Sequence, residues 1–188
     1  MTPRRLATLL LAAGCGLFAT ACVTDGFGSR GLPTYEDATR NPFVPANYRA
    51  AEALLDQLQG KLGAGQPLIV ATLVNIDALE RSSTLGRLVS EQVSARFVQA
   101  GHRMVEMKLR NSVYMQRDQG ELMLTREIRD LASAHNAQAV VVGSYGESRD
   151  FVYINLKVIQ PTTNVALAAH DYALPLDLNT RSMLLGAR

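Results

Sequence analysis

The 188-residue sequence contains no tryptophan, and its two cysteines, Cys15 and Cys22, both lie near the start. Beyond residue 22 there is no thiol to form a disulfide, bind a soft metal or act as a nucleophile. Aromatic residues make up only 6% of the chain, which argues against stacking grooves for bases or sugars. The three histidines, His102, His135 and His170, stand in no HExxH or other ligand spacing, so surface or structural roles are favoured. Gly143-Ser144-Tyr145-Gly146-Glu147-Ser148 is rich in serine and glycine but is not a GxSxG elbow, and it reads as a hairpin turn. No glycine-rich loop with its lysine follows the first apolar run, so a phosphate cradle is absent too. The expectation is a protein with no catalytic site, no cofactor, no metal and no small-molecule substrate.

Charge imbalance is also missing. Of 19 basic residues, Arg4 and Arg5 fall in an N-terminal segment read below as a removable leader, which leaves 17 against 17 acidic ones. A neutral body offers no basic face for nucleic acid. Hydrophobic content is 47%, enough for one medium domain with its own core.

Residues 1–21 have the plan of a targeting segment. Arg4 and Arg5 supply the positive start, and residues 6–18 are uncharged and apolar. That run is shorter than the roughly 20 residues a membrane-spanning helix needs. Two cysteines compete to mark its end. Cys15 follows Ala12-Ala13-Gly14 but would shorten the apolar run to residues 6–11; Cys22 follows Ala19-Thr20-Ala21 and keeps the run whole. The end resembles the lipobox of bacterial lipoproteins, with Ala19 where leucine is more common. That resemblance implies lipidation of Cys22 as the first mature residue, and an ordinary cleaved leader with a stray cysteine is the alternative. Val23, not Asp, follows Cys22. In Gram-negative lipoproteins an Asp there commonly means retention in the inner membrane, so Val23 resembles the outer-membrane class.

Residues 22–45 read as a flexible tether, with breakers such as Gly26, Gly28, Gly31, Pro33 and Pro42 and no periodicity. Residues 46–176 read as the folded domain and 177–188 as a frayed tail. A helix is predicted over 45–62, with Pro45 at its start and a face of Tyr48, Ala51, Leu54, Leu55, Leu58 and Leu62. Residues 68–74 (LIVATLV) predict one strand buried on both faces. A helix follows, capped by Ser82 or Ser83, with the stripe Leu85, Val89, Val93 and Phe97 widened by Leu88 and a stop at Gly101. A second strand is predicted over 102–109, with Glu106 and Lys108 suiting a sheet edge. The next helix covers 122–136, with Thr125 as N-cap, Glu127 in its first turn, Ile128, Leu131 and Ala132 facing inward, and Asn136 as stop. A third strand spans 137–144. Two more, at 151–159 and 164–174, have connections short enough for antiparallel hairpins. The fold class is α/β: a mixed β-sheet, parallel in its first βαβ part and antiparallel in its C-terminal hairpins, with helices packed on it.

One place invites a binding role. Ser82, Ser83 and Arg87 surround a helix N-terminus, where free N–H groups attract anions, so they are candidate contacts for a partner or an anion. Helix capping with a close-packed Gly86 explains the same residues structurally, and is favoured.

The same segment resembles a known family. Arg81-Ser82-Ser83-Thr84-Leu85-Gly86-Arg87-Leu88, followed by Glu91-Gln92, is similar to the FlgO family of bacterial outer-membrane proteins. So are residues 120–127 (GELMLTRE), with Thr125 where that family usually has Ser, and residues 139–145 (AVVVGSY). The similarity covers about residues 67–176. It implies a non-enzymatic protein associated with flagellar motility and with the outer-membrane part of the flagellum, its partners being basal-body ring components. The fold is also similar to the TolB N-terminal kind and to curli-secretion lipoproteins, which act by protein contact. The expected protein is thus a lipid-anchored outer-membrane lipoprotein with a periplasmic partner-binding domain. The alternative is an envelope regulatory lipoprotein that activates a cell-wall synthase or serves a secretion assembly.

Overall fold

A computed structural model describes residues 33–79, 81–105 and 129–185. The expected leader, Cys22, the strand residues 106–109, Thr125, Glu127 and Ile128 lie outside the described residues.

The stretch after residue 66 builds the first half of a mixed sheet. Strand β1 (Leu68–Val70) runs parallel to both β3 (Met104–Val105) and β4 (Ala139–Glu147). Leu68 joins one core cluster, with residues of helices α2 (Phe43–Leu58) and α3 (Thr84–Gln99), while Ile69 joins a second with Val140 and Ala132. Successive strand side chains point to opposite faces, so burial on both faces explains why this run shows no polar alternation. The expected single strand over 68–74 is nevertheless interrupted: β2 resumes at Val74–Asn75 and also pairs in parallel with β4. Val70 lies opposite Val141 and Val74 opposite Ser144, so the β1–β2 side carries one more residue than β4. That extra residue distorts the ladder as a bulge does.

Helix α3 (Thr84–Gln99) returns the chain from β2 to β3. Ser83 is the N-cap, its hydroxyl accepting from the Gly86 N–H at 3.2 Å. Leu85, Val89, Val93 and Phe97 are all buried as predicted, but Leu88 is 38% exposed and lies outside the stripe. At the C-terminus Gly101 has φ +89°. The His102 N–H donates to Phe97 O and the Gly101 N–H to Val98 O, completing a Schellman motif. The His102 ring packs over Phe97, centroids 5.9 Å apart, as the apolar contact such a motif favours. Helix α4, described over 129–134, ends in the same way. Asn136 has φ +50°, and the Ala137 N–H donates to Ala132 O.

Helix α2 (Phe43–Leu58) starts and ends earlier than predicted. Its termination follows from Gly60, whose φ of +73° leaves the helical region. Its buried face contains Asn47, Ala50, Ala51, Leu54 and Leu58, with Leu55 at the margin, while Leu62 packs on the core from beyond the helix end. It packs on α3 and on the last strand, β6 (Val165–Pro175). Helices α2 and α3 thus cover one face of the sheet, and α4 covers part of the other.

The C-terminal hairpins are as expected. Strand β5 (Phe151–Gln160) pairs antiparallel with β4 and with β6 (Val165–Pro175). Val152, Ile154, Leu156 and Val158 are all buried, as the alternation requires. Among the described residues the sheet order is β3-β1-β4-β5-β6, with β2 beside β4, so β3 stands at an edge of the described sheet. Gly143 to Glu147 belong to β4, contrary to the turn predicted there; the turn comes after them, with the Phe151 N–H donating to Ser148 Oγ. Gly143 is in the strand because a side chain would not fit. A Cβ there would come within 2.7 Å of Asn155 O and 2.8 Å of Leu73 Cγ.

Both flanks contain helices that were not predicted. Helix α1 (Tyr35–Arg40) lies in the expected tether, starting at a capping box between Thr34 and Asp37 and burying no side chain. Helix α5 (Leu178–Leu185) replaces the expected frayed tail. Asp177 accepts from the Thr180 N–H at 2.7 Å, Thr180 is buried, Met183 and Leu184 pack on the core, and the helix lies against α3.

Candidate functional site

Ser82, Ser83 and Arg87 sit together at the start of α3, as the sequence indicates, but the two hydroxyls are committed to backbone. Ser82 Oγ donates to Leu73 O at 2.6 Å, and Ser83 caps α3. Arg87 is exposed, its guanidinium donating to Thr84 Oγ1 at 3.2 Å. Gly86 is buried, and a Cβ there would lie 2.5 Å from Leu73 O and 2.9 Å from Tyr145 Cε1. The helix start is therefore pressed against the break between β1 and β2, with Ser83 buried and Ser82 and Arg87 exposed.

A residue not singled out in the sequence completes this joint. Ser90 accepts the Leu73 N–H at 2.9 Å and has Ala71 O and Gly86 O within donating reach, at 3.2 and 2.9 Å. Both backbone groups of Leu73 are thus satisfied by serines of the α3 region. Where the ladder breaks, such groups need other partners.

A second polar cluster ties α2, α3 and β6. Asn47 is wholly buried. Its Nδ2 donates to Gln92 Oε1 at 2.6 Å, and its Oδ1 accepts from the Tyr172 hydroxyl. Burial holds the Tyr172 phenol well above its ordinary pKa. A polar residue inside the apolar stripe of α2 was the available signal, but nothing local identifies partners 45 and 125 residues away. Nearby, Arg96 pairs with Glu52 across α2 and α3 at 2.6 Å, with both side chains partly exposed.

The histidines are apart: His102 rests on Phe97, His170 stacks on Tyr172, and His135 is exposed near the end of α4. Among the described residues no group of three or more His, Cys, Asp or Glu could hold a metal, and no helix is long and apolar enough to cross a membrane. On the sheet face away from α2 and α3, Phe151 and Tyr153 are about half exposed, their rings 6.5 Å apart.

Comparison with known proteins adds a family and a fold. The family model described as FlgO protein matches residues 48–179. No curated protein matches the sequence. Among solved structures, the LpoB C-terminal domain from Escherichia coli is similar at a TM-score of 0.52 with 11% identity, covering 70% of this chain and 97% of that one. The Salmonella enterica LpoB C-terminal domain gives 0.49 with 12% identity, over 66% and 94%. Lipoprotein GNA1162 from Neisseria meningitidis gives 0.42 with 10% identity, over 60% and 82%. At these identities the likeness to the Escherichia coli domain concerns the fold alone.

Proposed function

The chain belongs to the FlgO family, and on that premise we propose that it is an outer-membrane lipoprotein whose periplasmic domain binds protein partners in flagellar assembly and motility. The family match over residues 48–179 carries the proposal, since it spans nearly all of the described domain. Cys22 is the lipid-bearing residue in this reading. Several acyl chains hold a protein firmly at a membrane, because each buried methylene contributes about 0.8 kcal/mol. Val23 in place of Asp supports the outer membrane as the destination. The domain acts by contact, not catalysis: the candidate serines are bonded to backbone, and the polar clusters serve to join elements.

The test is capture of partners from the native envelope by the tagged full chain, beside a Cys22→Ser variant. Flagellar ring components recovered with the parent, and a variant lost from the membrane fraction, support the proposal. Recovery of a cell-wall synthase in place of ring components would favour the regulatory alternative. Unchanged membrane retention of the variant would exclude Cys22 as the anchor.

A further inference from the structure

Among the described residues strand β6 is an outer strand of the sheet, and an outer strand presents a row of unpaired N–H and C=O groups that invites another strand. Part of that row is occupied by side chains of the α2 region. Gln57 Nε2 donates to Ala169 O at 2.9 Å, while Gln57 Oε1 accepts the Ala169 N–H at 3.2 Å. The side-chain amide thus makes the pair of bonds that one residue of an added strand would make. Gln57 Nε2 also donates to Ala53 O at 3.0 Å, which fixes the side chain against its own helix. Further along, Lys61 Nζ donates to Leu167 O at 2.8 Å. Residues two apart on a strand share one edge, so Asp171, Ala173 and Pro175 point their backbone groups the same way as Ala169. Pro175 has no N–H to offer. Both ends of the row are therefore blunted, leaving among the described residues a window of Asp171 and Ala173 that carries a carboxylate.

We propose that Gln57 and Lys61 guard the β6 edge and keep a second copy of this chain from adding its own β6 to the sheet. A second copy is the natural occupant because an antiparallel strand pair is self-complementary: the same edge meets itself about a two-fold axis. Neither guard is needed for the core. Both are exposed, and alanine preserves the helix at position 57.

The test compares the full chain, extracted from membranes in detergent, with Gln57→Ala/Lys61→Ala and with the same double variant carrying Ala173→Pro. Sedimentation gives the mass, and circular dichroism confirms that each variant is folded. Gln57→Glu serves as a second single-site variant, because its carboxylate accepts from the Ala169 N–H but repels the carbonyl. The double variant should double in mass relative to the parent, and amide exchange at Asp171 and Ala173 should slow. Ala173→Pro, which removes an edge donor, should return the mass to the parent value. A double variant with the parent mass and unchanged exchange overturns the proposal, as does a dimer that persists with Ala173→Pro.

Discussion

Ser90, on the buried side of α3, accepts the backbone N–H of Leu73 at 2.9 Å. The contact joins the central helix to the strand break and lets an apolar run carry one residue more than its partner strand. Substituting Ser90 by Ala leaves the Leu73 N–H without its acceptor in a dry setting, which should cost about 1–3 kcal/mol. Urea unfolding of parent and variant measures it; equal midpoints would mean that Leu73 finds another partner.

Gly86 makes a different demand. Its helical position would ordinarily tolerate alanine, which has the higher helix propensity. Here the added methyl would meet Leu73 O and Tyr145 Cε1. Tyr145 is held in β4 and Leu73 is pinned at the strand break by Ser82 and Ser90, so Gly86→Ala should destabilise by about 1–3 kcal/mol through overpacking. Thermal unfolding decides the sign, and a stabilised variant would contradict the close approach.

Tyr172 links stability to alkaline pH. Burial raises its folded pKa above the ordinary value of 10.0. A raised tyrosine pKa means that its contribution is complete below the unfolded value and is lost as pH rises beyond it. Tyr172→Phe should be less stable at neutral pH, by about 1–3 kcal/mol, because it leaves the buried Asn47 Oδ1 without its donor. It should also lose less stability than the parent on passing pH 10. Parallel alkaline losses in parent and variant would contradict this.

Asp37 links α1 to acid pH with the opposite sign. Bonds from the Thr34 backbone N–H and then the Thr34 hydroxyl hold its carboxyl below the ordinary 3.8. Its contribution is present above that value and is lost as pH falls through the lower folded pKa. Backbone chemical shifts of residues 35–40 should therefore move toward coil values in acid, while Asp37→Asn shows weakened helix shifts already at neutral pH. Acid-insensitive shifts in the parent would rule out the capping box as the support of α1.

What could be read from the sequence was local. Ser83, the Leu85 to Phe97 stripe and the Gly101 stop lie within one helix and its caps, where spacing alone carries the signal. The parallel and antiparallel halves of the sheet followed from connection length. The break between β1 and β2 was hidden because the groups that satisfy it, Ser82 and Ser90, are 9 and 17 residues away. Helix α5 was missed because Leu178 and Leu185 are exposed and blur its periodicity. The Asp177 cap with Thr180, Met183 and Leu184 at helical spacing was the usable signal. At the candidate site, Ser83 has the capping role evident in the sequence, Ser82 instead bonds the strand break, and of the three only Ser83 is buried. Asn47, Gln92 and Tyr172 are joined by tertiary packing, for which the sequence gives only the oddity of a buried asparagine.

The proposed role in the flagellum, exercised from a lipid anchor at Cys22, is tested most directly by swimming of a strain deleted for the gene and complemented with the parent chain or with Cys22→Ser. Deletion should impair swimming, the parent chain should restore it, and Cys22→Ser should fail despite normal amounts of folded protein. Normal swimming with intact flagella in the deleted strain would contradict it.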